Sequence, residues 1–168
     1  PRTGRLLGSR SASALGGPRY LLSAGEYLVG VGASRVGVVK LADADEGTVH
    51  LSPTLIEAAG LAPTAGNPIV GRAVVAGGKV LVPLPGKVAA IDPANPEQIS
   101  LTTLDGSGTL LAGPGYLLAA DEKMLRGFIA YDEAAALLRA RVANDPRGTG
   151  AMLAYWDADE RCQYANES

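Results

Sequence analysis

From Arg72 to Asp92 the chain reads RAVVAGGKVLVPLPGKVAAID. Two short apolar runs flank Ala76-Gly77-Gly78, a Pro85-Gly86 pair follows, and a third run closes on Asp92. The unit recurs on both sides. Around Arg19 the sequence is RYLLSAGEYLVGV, and from Gly108 it is GTLLAGPGYLLAA. Each copy has an apolar triplet, an Ala-Gly pair (Ala24-Gly25, Ala76-Gly77, Ala112-Gly113) and a second apolar run. A third run then ends in aspartate: Asp43, Asp92 and Asp132. The spacing from the Ala-Gly glycine to that aspartate is nearly constant, and only the linkers vary.

Runs this short, rich in Val, Leu and Tyr, predict strands rather than helices. Glycine after each first run supplies a positive φ for a tight turn, and Pro85-Gly86 does the same one strand later. Short antiparallel strands at even spacing, repeating about every 40 residues, predict an all-β fold built as β-propeller blades. Apolar residues on both strand faces fit blades stacked between neighbours. A β-sandwich of look-alike strands is the competing reading.

The composition fits a turn-rich β protein: 22 Gly and 11 Pro in 168 residues, 47% hydrophobic but only 5% aromatic. Val, Leu and Ala must therefore fill the core. With 15 basic and 17 acidic residues the net charge is −2, which gives no electrostatic case for nucleic acid, where a basic stripe is expected. No apolar run is long enough for a membrane-spanning helix. A single cysteine, Cys162, rules out an internal disulfide framework and a CxxC metal or haem site.

The pattern resembles the PQQ-type (quinoprotein-like) β-propeller repeat, in which a strand ends Ala-x-Asp-x-x-Thr-Gly before an outer strand. Ala90-Ile91-Asp92 and Ala130-Tyr131-Asp132 match its first part, and Thr3-Gly4 match its last. Asn95-Pro96 replace Thr-Gly after Asp92, Ala135-Ala136 replace it after Asp132, and the docking Trp of the family is absent from every repeat. The resemblance implies a propeller segment of about three to four blades. It also implies a periplasmic or extracellular place in the bacterial envelope.

On this reading residues 1–10 are the outer strand of a truncated blade, and residues 11–51 are a blade that opens on a small-residue linker. Residues 52–68 are an inserted loop with a short helix. Its sequence SPTLIEAAG offers Pro53 at the helix start, Thr54 and Glu57 as a capping box, and Gly60 as the stop. Residues 69–104 and 105–144 are two further blades, and 145–168 a partial blade or tail. The run EAAALLRARVAND from Glu133 has helix-forming composition, but its position predicts an outer strand. The interval from Asp132 to Asp157 is too short for a full four-stranded unit. The chain is expected to be a piece of a longer polypeptide, or to close its ring with another chain.

No residue set forms a recognisable active site, so no catalytic, cofactor-binding or metal-binding residue is assigned and no cofactor is expected. Asp43, Asp92 and Asp132 read as Asx-turn acceptors. Asp43, Asp45 and Glu46, like Asp157, Asp159 and Glu160, carry only part of a calcium loop. His50 is the single histidine and sits in strand context, so a triad or metal site would rest on it alone. No GxSxG elbow occurs, and Cys162 has no sequence-visible base. The expected function is a non-catalytic scaffold or protein-interaction segment of a larger envelope protein. The alternative that the resemblance implies is a fragment of a PQQ- and Ca²⁺-dependent alcohol or sugar dehydrogenase. A polysaccharide-binding propeller ranks last, because six Tyr and one Trp give little stacking surface.

Overall fold

A computed structural model of the chain describes residues 11–43, 48–62, 66–104, 108–129, 136, 153–156 and 162–165. The chain divides into two compact units, Pro1–Phe128 and Ile129–Ser168. The described part is mostly β.

In the first unit β1 (Tyr20–Ala24), β2 (Tyr27–Val31), β3 (Val36–Lys40) and β4 (His50–Leu51) form an antiparallel sheet in chain order. The second sheet repeats that order with β5 (Val74–Ala76), β6 (Lys79–Leu84), β7 (Lys87–Asp92) and β8 (Asn95–Thr103). The third has three described strands, β9 (Thr109–Gly113), β10 (Tyr116–Ala120) and β11 (Leu125–Ile129). In the second unit β12 (Leu153–Trp156) pairs antiparallel with β13 (Cys162–Ala165), setting Trp156 opposite Cys162.

Side chains alternate across a strand with a period of two, so one strand can serve two cores. The second sheet does this. Val80, Val82 and Leu84 of β6, with Ala89 and Ile91 of β7, join Val29, Val31, Val36 and Val38 of the first sheet in one core. The intervening Leu81 of β6 and Val88 of β7 join Leu110, Leu117, Ala119 and Phe128 of the third sheet in another. The second sheet is thus covered on both faces, which explains its near-continuous apolar runs.

Two turns carry the repeat. In the first two sheets the hairpin glycine follows Ala24 or Ala76, with φ of 61° at Gly25 and 56° at Gly77. In the third, the sequence reading is corrected by one position. β9 continues through Gly113, which pairs with Tyr116, and the positive-φ residue is Gly115 at 75°. Pro114-Gly115 turns the chain because proline fixes φ and glycine accepts the left-handed region. Gly113 serves packing instead: a Cβ there would fall on the Tyr116 ring.

The third run of the first repeat also ends early. β3 stops at Lys40, and Leu41–Asp43 form a 3-10 turn. By contrast β7 runs to Asp92, with a register shift between Ile91 and Asp92.

Helix α1 (Leu55–Ala58) lies within the SPTLIEAAG stretch, with Thr54 as N-cap and Gly60 beyond its end at φ 66°. The capping box expected there does not form. The Thr54 hydroxyl donates to the Glu57 carboxylate and makes no bond to the helix backbone. Burial of Leu55 and Ala59 in the core shared by the first two sheets anchors this short turn, because four residues cannot hold a helix by propensity.

Ala136, the described residue in the run after Glu133, is helical, where position had predicted a strand. The rest of that run lies outside the described residues. The expectations for residues 1–10, Asp45, Glu46, Asp132, Asp157, Asp159 and Glu160 lie outside the described residues.

Candidate functional site

Asp92 ends β7, and its Oδ1 accepts the Ala94 N–H at 2.9 Å. That is the Asx-turn its position predicts, and it uses the carboxylate structurally. Asp43 closes the 3-10 turn after β3.

The most heavily bonded carboxylate among the described residues is Asp121, which sequence reasoning missed. It lies between β10 and β11. Its Oδ1 accepts the N–H groups of Lys123 at 2.8 Å and Met124 at 2.9 Å. Its Oδ2 accepts from Arg126 Nη1 at 2.8 Å. The Arg126 hydrogen bond first, then the two backbone N–H groups, hold its pKa down at about 2 against an ordinary 3.8. These bonds stabilise the ionised form. The cue was present as Asp-x-x-x-x-Arg across a hairpin, but the repeat reading looked for aspartate at the end of the third run.

His50 lies on β4, exposed, opposite Val38. It lines a cleft of about 290 Å³ with Tyr27, Val38, Lys40, Thr48, Pro93 and Ala94. Lys40 Nζ lies 3.2 Å from Glu26 Oε2. The cleft gathers one imidazole, one amine and two hydroxyls, with no nucleophile–base pair among them. Among the described residues no group of three His, Cys, Asp or Glu is placed to hold a metal ion. Cys162 contributes its backbone to β13.

The remaining polar contacts join structural elements. The Tyr20 hydroxyl, from the first sheet, accepts the Ala73 N–H at 2.8 Å, just before the second, and the Arg72 guanidinium lies 5.7 Å from the Tyr20 ring centre. Ser52 is buried; its Oγ accepts the Val36 N–H at 3.0 Å and donates to the Pro53 carbonyl at 2.9 Å. Lys87 Nζ donates to the Ala59 carbonyl at 3.0 Å, tying β7 to the end of α1. Every buried side-chain nitrogen or oxygen among the described residues has a partner, so none is left aimed at a ligand.

No protein-family model matches the chain, and no curated protein matches it. No described helix is long and apolar enough to cross a membrane.

Proposed function

We propose that this chain is a β-propeller segment of the PQQ-repeat kind, working as a non-catalytic scaffold or protein-interaction module within a larger bacterial envelope protein. One observation carries the reading. Successive sheets are short meanders in chain order, and the middle sheet divides its side chains by alternation between a core with the preceding sheet and a core with the following one. Stacked blades require that division, whereas the edge-to-edge pairing of one continuous sheet does not. The buried polar side chains among the described residues are all partnered, which suits a scaffold. The envelope location rests on the repeat resemblance alone.

Two measurements on the native polypeptide test this. Electron-microscopy class averages are expected to show a toroid of radial sheets, and a flat two-layer sandwich would overturn the propeller. Incubation with PQQ and Ca²⁺, followed by dye-linked alcohol oxidation, is expected to give no turnover. Measurable turnover would replace the scaffold with a quinoprotein dehydrogenase.

A further inference from the structure

The first sheet turns two different faces to its surroundings. Val29, Val31, Val36 and Val38 point into the core shared with the second sheet. By strand alternation Leu28, Gly30, Gly37 and Val39 point the other way. On that outer face Gly30 opposes Gly37 and Leu28 opposes Val39 in register. Val39 is only 2% exposed, yet it belongs to neither core.

The segment before β1 crosses this face at backbone distance. A Cβ on Gly37 would lie 2.6 Å from the Leu15 carbonyl oxygen and 3.0 Å from Leu15 Cα. One on Gly30 would lie 3.0 Å from Pro18 Cβ, and one on Gly32 2.7 Å from the Gly16 carbonyl oxygen. The crossing segment is itself two-sided. Leu15 is buried, whereas Ser11, Ala12, Ser13 and Ala14 are exposed. It also closes on itself: the Gly16 N–H donates to the Ser13 carbonyl at 3.0 Å, and the Gly17 N–H to the Ala12 carbonyl at 2.9 Å. The Arg19 N–H then donates to the Val31 carbonyl at 2.8 Å and delivers the chain into β1. One apolar anchor turned inward and small or polar residues turned outward are what the end of a stacked array needs.

We propose that residues 11–18 are a built-in strap that closes the stack at the first sheet and keeps another sheet from packing there. This rests on the stacked-sheet reading and gives the stack an end. Facing sheets lie ~10 Å apart with side chains filling the gap. A strap in contact with the Gly30–Gly37 pair occupies that gap with backbone, and glycine at both positions admits it. A toroid that contains this chain meets the first sheet across the strap, so its seam falls there. Without the strap, Leu28, Val39 and the already exposed Leu21, which opposes Gly30, would form one apolar face. A contiguous apolar face of that kind draws association.

NOE spectroscopy on the whole chain tests the strap's place. Cross-peaks from the Gly37 Hα protons to Leu15 are expected, and their absence would overturn the proposal. Two full-length variants test its role. Gly37→Val keeps a strand-forming residue in β3 but fills the space of the strap, and Leu15→Ser removes the anchor. Each is expected to raise the fluorescence of an apolar dye at least about threefold. Each is also expected to raise the weight-average mass above that of the wild type at equal concentration. Ala12→Val, on the exposed side of the strap, is expected to change neither. Should Gly37→Val lose its native circular dichroism, Leu15→Ser carries the test. Wild-type dye binding and mass in natively folded variants would overturn the proposal. So would a gain in dye binding with no gain in mass, because the strap would then cover the face without blocking anything. Inter-sheet methyl contacts measured on the same samples report separately on the stacked-sheet reading.

Discussion

Asp121 shows how much a short turn can depend on one side chain. Its ionised carboxylate holds Lys123, Met124 and Arg126, and its pKa lies near 2, below the ordinary 3.8. A group whose pKa falls on folding stabilises the native state while it is ionised. That contribution is complete above the ordinary value and is lost as pH falls from about 4 through 2. Asp121→Asn is thus expected to lower the urea midpoint at neutral pH and to lose most of that deficit by pH 2, where the wild-type carboxylate is half protonated. An equal deficit at both pH values would contradict it. Gly37 works by absence: the Leu15 backbone occupies the place of its side chain. Gly37→Ala must push that segment away and is expected to cost about 1–3 kcal/mol, read by chemical denaturation. Asp121 left a cue in the sequence, an arginine five residues on across a hairpin, whereas the role of Gly37 was not legible there. Gly37 sits in an ordinary apolar run, and the chain crossing that demands it comes from residues far outside that run.

At the scale of elements, strands and hairpins were legible because alternation and Gly-containing turns act locally. The Ala-Gly alignment failed only at the third hairpin. There Pro114-Gly115 outcompetes Gly113 for the turn, since Pro-Gly fixes both central dihedrals. β3 was read too long because Leu41 and Ala42 are apolar, and a 3-10 turn hides no signal that composition would show. The capping box at α1 had the right residues, but Thr54 and Glu57 bond each other, and the Leu55 N–H is held by the Ser34 carbonyl instead. Thr54→Ala is therefore expected to change stability by under about 0.5 kcal/mol, a surface-scale effect. A loss above ~1 kcal/mol, typical of a true cap, would show that the hydroxyl bonds the backbone in solution. Ser52 differs. Its buried hydroxyl holds the Val36 N–H at the start of β3, and Ser52→Ala is expected to cost about 1–3 kcal/mol by orphaning that group.

For the whole molecule, the repeat foretold the all-β class, and the division of apolar positions between two cores explains why the middle sheet lacks a polar face. A candidate site was hardly legible, since the cleft beside His50 draws Tyr27, Lys40, Thr48 and Pro93 from separate strands and turns. The central claim is that one strand, β6, feeds two cores by strict alternation. Methyl–methyl NOE spectroscopy on stereospecifically labelled Val and Leu tests it directly. Val80 and Val82 are predicted to show cross-peaks to first-sheet valines such as Val29 and Val38, while Leu81 shows them to Leu110 and Leu117 of the third sheet. Cross-peaks from Val80 or Val82 to the third sheet, or none from Leu81 to it, would contradict the stacked arrangement.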